Sequence, residues 1–258
     1  MAFQSYLTAP FLLRQLNALE YSFAGKIIGD AGTGLGILPC LLKDKNPLKI
    51  VGIDLDRSFL KTAGNLTHSE NTAYINADIR RMPLKDNIFD AIFARYVFQH
   101  LNLSNIFLSE IKRTMKDGGL LVIADIEDDL TVYYPEPPDS SKKLFAAYSN
   151  YQMLSGGDRL ISKKLPAFLS SVGFNDIKIK NFAQTFFKNG RVSDCAETLK
   201  NAFLLLQNEL ELVKENFFKE KLITPTEYHR GLNDYYKFLI SEDYIFISKT
   251  DFLITCVK

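Results

Sequence analysis

An acid followed by alternating glycines is the clearest chemical pattern in this sequence. Asp30 precedes Gly32, Gly34 and Gly36 in the segment DAGTGLG, which continues the apolar run KIIGD. Glycine lets the backbone turn tightly and approach a bound molecule closely, and the start of a following helix offers unpaired N–H groups. The segment is therefore predicted to be a ligand-binding loop between a strand and a helix. A tight turn that needs small residues only for packing would show the same pattern.

Two further acids stand where the next two apolar segments end. Asp54 closes KIVGID, where its carboxylate could accept both hydroxyls of a ribose. Asp78 ends AYINAD and Ile79 comes next, and an acid beside an aliphatic side chain suits the amino group and the flat face of adenine. Because parallel strands present their carboxyl ends at one edge of a sheet, the three positions predict a single adenosine-containing ligand. Each carboxylate alone could instead cap a loop.

The elements that position these residues alternate between short apolar runs and longer helical patterns. This alternation predicts an α/β fold with a doubly wound, mostly parallel seven-stranded sheet. The predicted strands are 26–30, 49–56, 73–78, 88–95, 120–125, 174–182 and 251–258. The predicted helices are 35–43, 56–66, 103–115, 140–154, 162–171, 194–219 and 225–240, and residues 116–119 are predicted to form a turn.

The chain is interpreted as one domain with a helical insertion. Residues 1–24 are predicted to form an N-terminal helical cover, and residues 25–182 the cofactor-binding core. Residues 183–250 are predicted to be a helical lid inserted before the last strand, 251–258. Long insertions at this edge of such a sheet are usually functional, so we expect the lid and the N-terminal helix to shape the acceptor pocket.

From Gly25 to Lys180 the sequence resembles the Rossmann-like family of S-adenosylmethionine-dependent methyltransferases. The likeness rests on DAGTGLG, GIDLD, NADIRRMPLKDNIFDAIFARYVFQHL and EIKRTMKDGGLLVIAD, and residues 133–174 are similar to a subgroup acting on small molecules. The resemblance implies S-adenosylmethionine as cofactor. It places Asp30, Gly32 and Gly34 at the methionine end, Asp54 and Leu55 at the ribose and adenine edge, Asp78 and Ile79 at the adenine, and Arg95 near the sulfonium or the amino-acid part.

A catalytic base is optional for methyl transfer, because the sulfonium already activates the methyl group. His100, just after the fourth strand, could accept a proton at neutral pH, although a structural histidine fits the same position. The acids at 125 and 127–129 could hold a magnesium ion, but they crowd one segment and we expect a solvated loop and no metal. Asp125 could still face the substrate.

Composition excludes several classes of partner. The 31 Lys and Arg residues nearly balance the 30 Asp and Glu residues, so no strong field favours nucleic acid. The three cysteines lack metal-ligand spacing, and no apolar run approaches the length of a membrane span. We expect a cytoplasmic protein with a small-molecule partner. The sequence does not indicate its oligomeric state.

The predicted function is transfer of a methyl group to a small-molecule acceptor by in-line displacement, with oxygen, nitrogen or carbon left open as the methylated atom. A binding protein or a non-methylating relative that holds the same cofactor is the alternative. A nicotinamide-dependent oxidoreductase is a third possibility. The glycine spacing opposes it, because the glycines do not follow the GxGxxG pattern.

Overall fold

The computed structural model describes residues 12–67, 69–101, 105–190 and 193–258, with no side-chain description for 105 and 193–196. Part of the predicted N-terminal cover, residues 1–11, and the predicted start of the helix at 103 lie outside these ranges. The chain divides into two compact units. The first comprises residues 1–126, 160–182 and 251–258, and the second comprises 127–159 and 183–250.

The first unit is built on a sheet of the predicted kind. Its strand order is β3-β2-β1-β4-β5-β8, and β7 also pairs with β8. The pairs among β1 to β5 are parallel, and residues 251–257 of β8 run antiparallel to β5. These seven strands confirm the predicted fold class. The bounds are β1 Ile27–Ala31, β2 Lys49–Asp54, β3 Thr72–Asn76, β4 Phe89–Arg95, β5 Met115–Ile126, β7 Asn175–Asn189 and β8 Tyr244–Val257. Residues 175–182 of β7 and 251–257 of β8 belong to this unit.

Apolar side chains alternate between the two faces of this sheet. Ile28, Ala91 and Phe93 belong to one buried cluster, whereas Ile92 and Ala94 belong to another. A strand buried on both faces is the pattern expected when helices cover both sides. The helices of this unit are a segment at 12–17, α1 Ile37–Leu42, α2 Arg57–Thr67, α3 Asn105–Thr114 and α5 Leu165–Ser171, with short 3-10 turns at Lys43–Lys45 and Phe98–His100.

The second unit has its own apolar core of aromatic and aliphatic side chains, which include Phe217, Tyr228 and Tyr235. Helix α7 begins at a capping box in which Thr224 accepts from the Glu227 backbone N–H. The short strand β6 pairs with residues 246–248 of β8. The remaining elements are β6 Val132–Tyr134, α4 Asp139–Leu154, α6 Ser193–Lys219, α7 Pro225–Ser241 and a 3-10 turn at Asp128–Leu130.

The division of the chain differs in one respect from the sequence interpretation. Residues 183–250 fall in the second unit as one continuous segment, but residues 127–159 belong to that unit as well. From the sequence, residues 127–159 are expected to belong to the cofactor-binding core, because the Pro-rich stretch has the local pattern of a connection. The covering role of residues 183–250 stays a prediction.

The predicted turn at 116–119 is instead an irregular start of β5. The pairing with β4 shifts register between Phe89 and Ala91, so that four residues of β5 are accommodated at that point. Gly118 has φ +73°, and its N–H donates to the carbonyl of Lys258. Gly118 and Gly119 therefore lie in a bulge of β5 and not in the predicted turn. In the part of the chain that the structure describes, no helix combines the length and the apolar character needed to cross a membrane.

Candidate functional site

The carboxyl ends of β1 and β2 bring the glycine loop and Asp54 together. The Gly34 N–H donates to Oδ2 of Asp54 at 2.8 Å, and the Asp56 N–H donates to Oδ1 at 2.9 Å. The N–H groups of Gly32 and Thr33 both donate to the Ile53 carbonyl, at 2.8 and 3.0 Å. The loop after β1 is thus fixed against the end of β2. A half-buried carboxylate lies at the junction.

Asp30 is a buried acid directly before this loop. The Thr33 hydroxyl donates to its Oδ2 at 2.6 Å. Burial raises the pKa of the Asp30 carboxyl to about 6, while the Thr33 hydrogen bond and the charge of Arg95 act to lower it and the charge of Asp54 acts to raise it. Two predicted site residues at different strand ends, Asp54 and Arg95, are therefore close enough to Asp30 to influence its charge.

The raised pKa of Asp30 leads to a prediction about stability. An acid whose pKa rises on folding from 3.8 to about 6 destabilises the folded chain as pH climbs through that interval, and the full cost is present above about pH 6. Asp30→Asn should therefore raise the unfolding temperature by a few degrees near pH 8, and the gain should fade towards pH 4. Thermal unfolding across this range measures the difference. A gain that does not depend on pH would contradict the assignment.

The three glycines of the loop have different surroundings, although all have positive φ. A Cβ on Gly32 would lie 2.4 Å from Cγ2 of Val97, and one on Gly36 would lie 2.5 Å from the Tyr74 hydroxyl. Nothing lies within 4 Å of a Cβ built on Gly34. Packing therefore accounts for Gly32 and Gly36. Gly34 borders open space, so a ligand can approach its backbone there.

The loop after β3, which carries Asp78, is connected by hydrogen bonds to the end of β2, which carries Asp54. The side-chain amide of Asn76, at the end of β3, donates to the carbonyls of Asp54 and Leu55 at 3.1 and 2.8 Å. Leu55 is 70% exposed. Asp78 follows two residues after Asn76, and its carboxylate accepts from Nε and Nη2 of Arg80 at 3.0 and 2.6 Å. These hydrogen bonds lower the pKa of Asp78.

Ile79 is half-buried and packs against the apolar cluster on one face of the sheet. Asp30, Gly32, Gly34 and Asp54 thus form one cluster. Asp78 and Ile79 lie in the loop after the neighbouring strand.

The end of β4 carries Arg95 and a residue that the sequence analysis did not select. The Arg95 guanidinium lies 5.3 Å from the centroid of the Tyr96 ring. Tyr96 has φ +55°, an uncommon value for an aromatic residue, and its hydroxyl donates to Oδ2 of Asp251. Burial, and then the neighbouring Asp251 charge, raise the pKa of Tyr96 well above its ordinary value. A strained residue at this strand end adds to the candidate site.

Asp125 holds the loop that bears His100. Its Oδ2 accepts from the backbone N–H groups of Phe98 and Gln99 at 2.8 and 3.3 Å. Burial raises the pKa of Asp125 to about 7, against the lowering effect of these hydrogen bonds. His100 ends the 3-10 turn and is exposed. Asp125 is therefore a structural support for this loop.

The magnesium alternative finds no support in the described geometry. Oδ1 of Asp125 accepts from the Ile126 N–H at 3.0 Å, and in the second unit Asp128 forms an ion pair with Arg159. Among the residues that the structure describes, no three His, Cys, Asp or Glu side chains are grouped so that they could hold a metal ion.

Comparison with known proteins shows which family the sequence around this site resembles. Residues 29–123, which contain the glycine loop and the ends of β1 to β4, match the family described as "Methyltransferase domain". Residues 29–123 are therefore similar to a methyltransferase domain. The resemblance inferred from the sequence motifs is thereby confirmed for this region.

Two curated methyltransferases share part of their sequence with this chain. The malonyl-acyl-carrier-protein O-methyltransferase of Buchnera aphidicola is 31% identical over 111 residues, which are 43% of this chain and 43% of that enzyme. The ubiquinone/menaquinone biosynthesis C-methyltransferase UbiE of Desulfotalea psychrophila is 25% identical over 171 residues, which are 62% of this chain and 69% of that enzyme. The chain thus spans less than half of the first relative's length.

A solved structure extends the likeness of fold beyond residues 29–123. The crystal structure of a Bacillus halodurans C-125 protein assigned as a methyltransferase matches with a TM-score of 0.61 at 19% identity. The match covers 96% of this chain and 98% of that one. At this identity the comparison establishes the fold.

Proposed function

We propose that this protein transfers the methyl group of S-adenosylmethionine to a small-molecule acceptor. The observation that carries the proposal is the arrangement at Gly34, where the backbone N–H binds Asp54 while the Cα faces open space. A ribose hydroxyl can approach such a carboxylate because each oxygen of Asp54 accepts one backbone hydrogen bond and retains a second lone pair. The methyltransferase-domain match over the same residues supports this interpretation.

The charges at the carboxyl edge suit the amino-acid end of the cofactor. Asp30 carries a negative charge at neutral pH and lies within electrostatic range of the Arg95 guanidinium. An acid and a guanidinium within electrostatic range of each other complement an ammonium and a carboxylate on one ligand. We assign Asp30 to the ammonium, Arg95 to the carboxylate, Asp54 with Leu55 to the ribose and adenine edge, and Asp78 with Ile79 to the adenine. Gly32 and Gly34 shape the loop beside the methionine end.

When bound, S-adenosylmethionine supplies an electrophilic methyl group on a positively charged sulfur. The protein has to align the acceptor atom with that methyl group, exclude water and, for an acceptor that loses a proton, provide a route for it. His100 is the candidate base, on an exposed turn whose backbone Asp125 holds. The methylated atom is left open. The two relatives named above methylate oxygen and carbon, respectively.

Methyl transfer from isotopically labelled S-adenosylmethionine tests the proposal. The acceptor set should include a malonyl thioester of acyl carrier protein, a prenylated quinol and simple amines, so that oxygen, carbon and nitrogen are all represented. Labelled product that disappears with Asp54→Ala supports the proposal. Tight cofactor binding without transfer to any acceptor class would favour the non-methylating alternative.

His100→Ala belongs in the same assay, with the exposed His229→Ala as control. A fall in kcat at unchanged cofactor affinity identifies His100 as the base. An unchanged kcat would mean that the reaction rate depends on alignment of the acceptor with the methyl group and not on this histidine.

A cytoplasmic location and the absence of a nucleic-acid partner are part of this proposal. The balanced charge of the chain supports the absence of a nucleic-acid partner.

A further inference from the structure

A polar residue lies in the buried stripe of the N-terminal helical segment. Leu12, Gln15 and Leu16 follow the spacing i, i+3, i+4, which places them on one face of the helical segment 12–17, and Leu19 lies in the turn after it. Leu12 and Leu16 are 2% and 3% exposed, and Gln15 is only 1% exposed. Leu13, which lies off this face, is 41% exposed. The helix therefore packs an amide where its pattern calls for an apolar side chain.

The amide of Gln15 has no hydrogen-bond partner within the described structure. Both its nitrogen and its oxygen are buried, and neither meets a donor or an acceptor. A buried polar group without a partner is unfavourable, so native chains rarely retain one unless water or a ligand completes it. The amide thus indicates a partner other than the described protein atoms.

Gln15 borders a small cavity together with Arg95. The cavity has a volume of about 10 Å³, which is room for one water-sized group. Its other described lining residues are apolar and include Phe93 and Ala124. Gln15 and Arg95 are the two residues with polar side chains in the described lining of this space.

The cavity lies on the sheet face that carries the charged pair of the proposed site. Ile28 and Phe93 pack in the same cluster as Leu12 and Leu16. Side chains two residues apart on a strand share a face, so Asp30 and Arg95 project to the side that the helical segment covers. The cavity is therefore at the carboxyl end of β4 and on the same face as Asp30.

We propose that Gln15 donates its amide N–H to the carboxylate of the cofactor's amino-acid end, beside Arg95. One carboxylate oxygen fits the space, and the neutral amide adds a hydrogen bond without adding charge near the sulfonium. The assignment rests on the proposed function, because it uses the same cofactor. It makes the N-terminal segment part of the binding site, through one side chain.

Two ligands that differ only at the amino-acid end test the assignment. S-adenosylhomocysteine carries the carboxylate, whereas 5′-methylthioadenosine lacks the whole amino-acid end. In Gln15→Leu we expect about tenfold weaker binding of S-adenosylhomocysteine and unchanged binding of 5′-methylthioadenosine, measured by calorimetry. The unfolding temperature without ligand should stay equal or rise, because an unpaired amide is removed. Leu13→Ala on the exposed side of the segment is the control, and Gln15→Met serves if the leucine variant does not fold.

Two results would overturn the assignment. Equal losses for both ligands would mean that Gln15 shapes the site as a whole, and no loss for either would mean that it binds a buried water only. Failure of the proposed function gives a different result, since the unaltered protein would then bind neither nucleoside. In that case the assignment of Gln15 falls with it.

Discussion

Replacement of Gly32 by alanine is expected to lower the free energy of unfolding by roughly 2 to 5 kcal/mol, whereas the same change at Gly34 should cost only about 1 kcal/mol. Both residues have positive φ, at +73° and +52°. The new methyl group at position 32 would lie 2.4 Å from Cγ2 of Val97, but at position 34 it would meet nothing within 4 Å. The difference between the two changes in the free energy of unfolding therefore separates the cost of packing from the cost of the backbone conformation.

Cofactor affinity should be affected more by the change at Gly34, whereas stability should be affected more by the change at Gly32. The methyl group of Gly34→Ala would occupy the space that we assign to the cofactor, so this folded variant should bind S-adenosylhomocysteine more weakly. Chemical unfolding and calorimetric titration measure the two effects. Gly64→Ala in α2 is the control, because it sits in a helix with open space around a new Cβ and should not destabilise the chain. Equal destabilisation at positions 32 and 34 would refute the distinction.

Asp54→Ala is expected to weaken cofactor binding by about 1.5 to 3 kcal/mol, or roughly 10- to 150-fold in Kd. Its carboxylate joins the glycine loop to the end of β2, with Oδ2 on the Gly34 N–H and Oδ1 on the Asp56 N–H. The variant therefore loses the proposed ribose acceptor and a support of the loop. Titration with S-adenosylhomocysteine measures the loss.

Two companion variants sharpen this result. Asp54→Asn keeps one acceptor oxygen and should fall between the unaltered protein and the alanine variant. Asp44→Ala removes an exposed carboxylate from the 3-10 turn of the same unit and should leave affinity unchanged. A folded Asp54→Ala protein with unaltered affinity would refute the ribose assignment.

Local patterns were sufficient to predict most of the first unit. The strands that end at Ala31, Asp54 and Asn76 are short apolar runs, and the acids that follow or close them can be read one segment at a time. The parallel order then brings these ends to one edge, so Asp30, Gly34 and Asp54 could be grouped before any coordinates were known.

The residues that sequence reasoning missed depend on contacts between distant parts of the chain. Tyr96 and Asp251 are 155 positions apart and meet only because β8 returns antiparallel to β5. Gln15 was missed because apolar residues at helical spacing surround it, and that pattern is usually core. The association of residues 127–159 with 183–250 is another long-range property, and no local motif marks it.

Calorimetric titration of the unaltered protein with S-adenosylmethionine, S-adenosylhomocysteine and NAD would show which of these ligands the site binds. The site described by Asp30, Gly34 and Asp54 predicts binding of the two sulfur nucleosides and no comparable binding of NAD. Binding of NAD alone, or of none of the three, would contradict the assignment of this site to S-adenosylmethionine.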